Sequence, residues 1–360
     1  MIRCFTSFTL GYLPRARILA ETLRAVHPDW HLTALLVDRL PPGADLSAFD
    51  AVVAAESLAI PRFRAWLFRH DLVEACCAVK GTMLCRLLDA GAEAVVYLDP
   101  DIALFHPLAS LAARLAHASV LLTPHQLTPN DSSAAIADNE AAALRYGVFN
   151  LGFLAVANDA TGRRFAAWWA ARLLESCYDA PEQGMFADQR VCDLVPALFE
   201  RVGIVRDPGW NVASWNLSRR RLAVTPAGGI TADGAPLAFY HFSKHGGAGD
   251  AMTDRYAGDL PLAHELWRWY GRRLAALTGP PAEQPGWHYA RFSDGAAVPR
   301  AARLLHRARP DLLDAFDDPF DAARGGLRDW LAAYAPETLA PPPDQGMPKL
   351  KNTPGGGGGV

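Results

Sequence analysis

Apolar runs and helical spacings alternate along the first hundred residues. Ile2 to Phe8 is a short run of β-forming type, and Arg15 to Val26 then carries Ile18, Leu19, Leu23 and Val26 on one helix face, ending before His27-Pro28. Leu32 to Val37 is continuously apolar, the pattern of a strand covered on both faces. Ala51 to Ala54 reads as another strand, and Asp71 to Ala90 as one long helix stopped by Gly91. Ala94 to Leu98 is a further strand, ending abruptly on Asp99-Pro100-Asp101. This β-α-β-α-β order predicts an open, largely parallel α/β sheet flanked by helices. Ligands bind such sheets at the carboxyl ends of the strands, where Asp99 and Asp101 stand.

The pattern becomes mixed further on. Ser119 to Leu122 and Leu151 to Val156 read as strands, and Thr161 to Cys177 as a helix rich in Ala and Trp. Met185 to Phe199 reads as a helix disturbed at Pro196. Arg221 to Thr225 and Leu237 to Phe242 flank Gly228-Gly229 and Gly234, the mark of a hairpin-like return. Asp259 to Leu277 is the last helix of the main body, before a Pro- and Gly-rich stretch from Gly279 to Gly286. The chain is thereby expected to divide into a main domain over 1–278 and a small helical appendage over 287–335, built around Leu304, Leu305, Leu312, Leu313, Trp330 and Leu331. A disordered Pro/Gly-rich tail is expected over 336–360.

Composition narrows the class. Hydrophobic residues make up 51% of the 360 and charged residues 20%, which excludes a disordered polyelectrolyte. A net charge of -3 removes any general drive toward nucleic acid or an anionic membrane. No run of about 18 uncharged apolar residues occurs, so no membrane span is expected, and the N-terminus lacks the apolar core of a signal peptide. The six cysteines form no Cys-x-x-Cys pair and read as reduced, buried thiols. A cytoplasmic protein is expected.

Two clusters can carry chemistry. Asp99-Pro100-Asp101 places two carboxylates just beyond a strand, where they can turn to one side and share a hard divalent cation. A polar turn is the alternative, since Asp and Pro both favour turns. The second cluster is Tyr240-His241-Phe242-Ser243-Lys244-His245-Gly246-Gly247. Here His241 ends an apolar strand and can supply a third ligand, Lys244 can neutralise a phosphate, and the glycines allow close backbone approach. A strand-end histidine can equally be a hydrogen-bonded structural residue.

Phe5-Thr6-Ser7-Phe8, Lys80, Tyr97-Leu98-Asp99-Pro100-Asp101, Phe149-Asn150-Leu151-Gly152, Ala187-Asp188-Gln189 and Tyr240-His241-Phe242-Ser243-Lys244 occur in an order that resembles GT-A glycosyltransferases. The family 8 group, which includes glycogenin and lipopolysaccharide galactosyltransferases, is most similar, over roughly residues 1 to 250. The resemblance implies a GT-A type, Rossmann-like sheet and transfer of a sugar, with retention, from a nucleotide diphosphate sugar of UDP type. The acceptor would be a glycan, lipid-linked or protein hydroxyl, as in polysaccharide biosynthesis. It assigns Asp99, Asp101 and His241 to Mn2+ or Mg2+, and Lys244 to the diphosphate. Thr6, Ser7 and Tyr12 would lie by the base and ribose, and Lys80 near phosphate or sugar. Asn150 and Gly152 would lie by the donor sugar, with Asp188 and Gln189 at the reacting face. The chain departs from the family where Ser243 precedes Lys244 and His245-Gly246 follow.

Three features stand outside the resemblance. Trp210-Asn211 and Trp215-Asn216 precede Arg219-Arg220-Arg221, which reads as core tryptophans with solvated arginines or, alternatively, as a sugar-stacking wall with an anionic acceptor site. Arg303, Arg307 and Arg309 read as a solvated helix face, with peripheral membrane or partner contact as the alternative. A haloacid-dehalogenase-type phosphohydrolase would use Asp99 as nucleophile, Asp101 as acid/base and Asp317-Asp318 as its late acidic pair. A non-catalytic nucleotide-sugar-binding module is the third reading.

Overall fold

The computed structural model describes residues 1–279 and 286–340. Four strands, β1 (Ile2–Phe8), β2 (His31–Leu36), β3 (Ala51–Ala54) and β4 (Ala94–Leu98), lie parallel in the order β3-β2-β1-β4. Every residue of β4 is buried, as its unbroken apolar run requires of a central strand. β5 (Ile102–Leu104) leaves this sheet, which β6 (Val120–Pro124) and β7 (Phe149–Ala157) then extend. β7 runs antiparallel between β4 and β6, and strand Val202–Ile204 adds in parallel beside β6. The open, mostly parallel sheet expected from the β-α-β order is thus present, with seven strands and one reversed member.

Several local expectations are corrected. The long helix over 71–90 is two helices, Leu72–Ala78 and Lys80–Asp89, interrupted at Val79. Asp71 caps the first, its side chain accepting the Glu74 N–H at 2.9 Å while Glu74 accepts the Asp71 N–H at 2.8 Å. No helix covers 185–199. Met185–Phe186 pairs with Asp179–Ala180, and Ala187 takes a left-handed φ of 44° that helical backbone forbids. Only Val195–Leu198 is α-helical, and Pro196 sits in its first turn, where the missing N–H has no intrahelical partner to lose. The return near Gly228 is an antiparallel set of Leu222–Val224, Ile230–Ala232 and Ala235–Pro236, while Phe239–His241 pairs elsewhere. The last helix of the main body runs over Pro261–Leu277, within the expected Asp259 to Leu277, and an unexpected helix, Ala248–Ala257, precedes it.

Two compact units form: Met1–Phe63 with His70–Ala290, and Arg64–Arg69 with the described residues from Arg291 onward. The stretch just after the expected boundary belongs to the first unit, where Trp287 donates its ring N–H to the Val37 carbonyl at 2.9 Å. In the second unit Arg303 is buried and donates to the Phe68 carbonyl, and Arg307 donates to the Arg69 carbonyl. They tie helix Arg300–Ala308 to Arg64–Arg69 and do not form the solvated face expected; Leu304, expected inside, is exposed. Arg309 is exposed and pairs with Asp311. Of the expected tail, Pro336–Leu339 forms a 3-10 turn with Thr338 buried, whereas 341–360 lies outside the described residues, as does 280–285. No helix among the described residues is long and apolar enough to cross a membrane, and the six cysteines are free.

Helices Lys80–Asp89 and Ala160–Ser176 pack so closely that a Cβ at Gly81 would lie 2.5 Å from the Ala170 Cα. Gly81→Ala must push backbone from backbone and is expected to cost about 1–3 kcal/mol of stability. Urea unfolding measures it; an unchanged midpoint would show that the two helices separate freely.

Candidate functional site

β4 delivers Asp99 to the carboxyl edge of the sheet, where the Asp99 N–H donates to the Gly152 carbonyl of β7 at 2.8 Å. The turn through Pro100 leads into β5, whose antiparallel partner is Phe239–His241 with Ile102 opposite His241. The Phe242 N–H then donates to the Asp101 carbonyl at 2.8 Å, closing that register beside the acidic turn. A small sheet therefore carries His241 to residues far behind it in sequence. Its Nε2 lies 3.0 Å from Asp101 Oδ1 and 3.7 Å from Asp99 Oδ2. One ligand atom from each of the three residues falls within 4.8 Å of the other two. Burial would lower the His241 pKa, but Asp101 and Asp99 outweigh it and raise it; the same imidazole lowers Asp101 against the upward pull of burial.

The imidazole is oriented from behind. His241 Nδ1 faces Asn150 Oδ1 at 3.1 Å, and that oxygen also accepts the Gly152 N–H at 3.3 Å. An amide oxygen only accepts, so Nδ1 carries the proton and Nε2 is the atom turned to the carboxylates. Gly152 makes the arrangement sterically feasible, since a Cβ there would lie 2.5 Å from His241 Cε1. Asn150 Nδ2 in turn faces His125 Nε2 at 3.5 Å, while His125 Nδ1 donates to the Val148 carbonyl at 3.2 Å. Burial holds His125 neutral, lowering its pKa to about 4. The edges of Trp215 and His241 meet with ring centres 5.3 Å apart.

Lys80 joins the second group. Opening its helix just after the break at Val79, it is 3% exposed and bridges Asp188 at 2.7 Å and Asp99 at 3.2 Å. Burial pulls the ammonium pKa down, yet the two carboxylates raise it well above the ordinary lysine value. Its Nζ also stands 4.1 Å from the centre of the Tyr97 ring, whose hydroxyl donates to Asp99 Oδ1. With Oδ1 so engaged, Asp99 turns Oδ2 toward His241. Burial raises the pKa of Asp188, and Lys80 counters it. Trp169 donates its ring N–H to the Asp188 carbonyl, and the left-handed Ala187 turns the chain just before it. Strain of this kind costs about 1–3 kcal/mol and is held in place by surrounding contacts.

The other expected residues are more dispersed. The Gln189 amide donates to the Tyr146 carbonyl at 2.9 Å. Thr6 is fully buried with an unpartnered hydroxyl, and the Ser7 hydroxyl is committed to the Cys76 carbonyl. Tyr12 is exposed beside Arg15, its pKa raised by burial of the hydroxyl and by Asp101. Lys244 is exposed at a left-handed φ of 56° and makes no ion pair among the described residues. Sequence reasoning missed His125 and the Tyr97 hydroxyl; the only cue was their place at the carboxyl ends of strands. It also read Arg220 as solvated, whereas Arg220 is 2% exposed and donates to the Trp210 carbonyl at 2.6 Å. Trp210 is a core residue as expected, packed on Phe153 and Phe239.

Replacing Lys80 tests the bridge. Lys80→Met leaves Asp188 buried without its cation, an imbalance worth about 3–5 kcal/mol. The expected result is a large fall in the denaturation midpoint, partly recovered in the double variant with Asp188→Asn. Full stability of the single variant would show that the bridge carries no structural weight.

No protein-family model matches the chain. It is similar to two uncharacterized proteins of Bacillus subtilis (strain 168). YfnF is 29% identical over 205 residues, covering 55% of this chain and 67% of that protein. YfnD is 29% identical over 174 residues, covering 47% of this chain and 53% of that protein. The chain thus spans about two thirds of one and about half of the other. Similar solved structures include the galactosyltransferase LgtC with donor and acceptor sugar analogs, at 15% identity, 79% of this chain, 98% of that chain and a TM-score of 0.44. The apo form of mouse xyloside xylosyltransferase 1 is 12% identical over 68% of this chain and 98% of that chain, with a TM-score of 0.39. Both are glycosyltransferases by description. At these scores the likeness is loose, and the site's own chemistry must carry the function.

Proposed function

We propose that the protein is a metal-dependent glycosyltransferase moving a sugar from a nucleotide diphosphate sugar, of UDP type, to a glycan or other acceptor hydroxyl. The observation that carries this reading is the convergence of Asp99, Asp101 and His241 at the carboxyl edge of a mostly parallel sheet. Two carboxylates and one imidazole with its Nε2 turned inward suit Mn2+ or Mg2+. When bound, such a cation offsets the charge that develops on a departing diphosphate.

The chain's own residues supply the rest. Asn150 fixes the His241 ring, and Gly152 gives it room. Lys80 holds Asp99 in place and adds positive charge beside the cluster. Its ion pair with Asp188 fixes that carboxylate, which can accept hydrogen bonds from sugar hydroxyls. Retention, in which the departing diphosphate takes the acceptor's proton, rests on the family resemblance. The phosphohydrolase alternative needs Asp99 as a free nucleophile, but Lys80 and Tyr97 engage it, and Asp318 belongs to the second unit, paired with Arg64.

Asp99→Asn and Asp101→Asn are each expected to cut Mn2+-dependent sugar release from UDP-sugars by roughly 100-fold or more while far-UV circular dichroism is unchanged. Activity that survives in both variants with a chelator present would remove the metal assignment. A pH dependence follows from His241. Asp101 and Asp99 raise its pKa above the ordinary 6.5, so the metal-free imidazole holds its proton to higher pH than a free histidine and a cation must displace that proton. Mn2+ affinity should therefore rise with pH until the raised value is passed. Calorimetry in buffers of different ionisation heat reads this as proton release on binding; no release at pH 6.5 would contradict it.

A further inference from the structure

A second cavity, of about 270 Å3, is lined by Gln126, Arg206, Asn216, Arg219, Arg220 and Asp233 among others. None of these belongs to the cation cluster. Three guanidinium groups face one carboxylate there. Arg219 is paired with Asp131, and Asp233 accepts the Arg221 backbone N–H at 2.8 Å. Neither of the other two touches a carboxylate among the described residues, although Asp233 and Asp207 lie near enough to act on the charge of Arg220. Arg206 is exposed and makes no ion pair or hydrogen bond among the described residues. Arg220 is 2% exposed, with Nη1 on the Pro208 and Trp210 carbonyls and Nε buried without a partner. Gln126 Oε1 is likewise buried and unpartnered.

A guanidinium held out of water with no carboxylate in contact is costly, and a buried donor without a partner, such as Arg220 Nε, is rare enough to call for an explanation. We propose that this cavity is an oxyanion site, taking a carboxylate or phosphate carried by a glycan acceptor, with Arg220 as buried anchor and Arg206 at its exposed side. The planar guanidinium fork matches both groups. The volume sits near the lower end of ligand pockets, about 300 Å3, room for one sugar-sized group.

Position links the cavity to the cation cluster. Asn216 donates to the His125 carbonyl at 3.4 Å, and Gln126 donates to the Trp215 carbonyl at 2.8 Å. The Trp215 ring in turn meets His241. An acidic sugar anchored on Arg220 therefore lies one layer of side chains from the cluster, with the rest of its glycan free to reach it. The acceptor assignment rests on the glycosyl-transfer reading; the oxyanion site does not.

Calorimetric titration of the metal-free, full-length protein with glucuronate, glucose 1-phosphate and glucose tests the site. At least one acidic probe should bind and glucose should not, with the better probe naming the oxyanion. Arg206→Gln should weaken that binding about tenfold, the loss of one charged hydrogen bond, and Arg206→Lys should restore part of it. Mn2+-dependent hydrolysis of UDP-sugars should be the same in Arg206→Gln as in the parent protein. Acidic probes that bind no better than glucose, or that ignore Arg206→Gln, overturn the site. If the probes bind at Arg206 but acidic acceptors are used no better than neutral ones, the acceptor assignment falls and the oxyanion site stands. If no UDP-sugar is turned over at all, the transferase reading fails independently.

Discussion

Lys80 is the charge on which the arrangement depends. Asp99 and Asp188 approach one another at the sheet's edge, where burial raises the Asp188 pKa and the charge of Asp99 raises it further. The ammonium between them, 3% exposed, allows both acids to coexist there. It also occupies one oxygen of Asp99, with help from Tyr97, so that the second oxygen faces His241. The break at Val79 places Lys80 at the start of its helix. A helix start thus supplies the cation of a site whose acids stand at strand ends and in loops.

Much of this was legible in the residue pattern. The run Ala-Val-Val-Tyr-Leu announced a buried central strand, and the acids behind it marked its carboxyl end. The resemblance then joined those acids to His241, which periodicity alone could not do. Their meeting depends on the register between β5 and Phe239–His241, and three-residue strands carry almost no periodic signal. Gly152 shows the same limit. Its role is a close approach by a ring from a distant strand, and nothing local reveals what will approach.

The expectations that failed did so for tertiary reasons. Arginines at 220 and 303 read as solvated because arginine is seldom buried, yet both are committed to backbone carbonyls inside their units. The apolar, charged mixture from Met185 to Phe199 has helix-compatible composition. The site nevertheless requires a left-handed residue at 187, which turns Asp188 inward. Propensity lost to the geometry that Lys80 imposes.

The three-stranded sheet that carries His241 also has a consequence for how the molecule assembles. Asp101 can meet its imidazole partner only after the whole intervening chain, including β6, β7 and helix Ala160–Ser176, has found its place. Closing so wide a loop carries an entropic cost that the pairing of β5 with Phe239–His241 must offset. A chain interrupted before Phe239 can still pair β1 through β4, yet it would hold two acids with no third ligand. The Asp99, Asp101 and His241 cluster is therefore a product of tertiary pairing, assembled from segments that lie far apart along the chain.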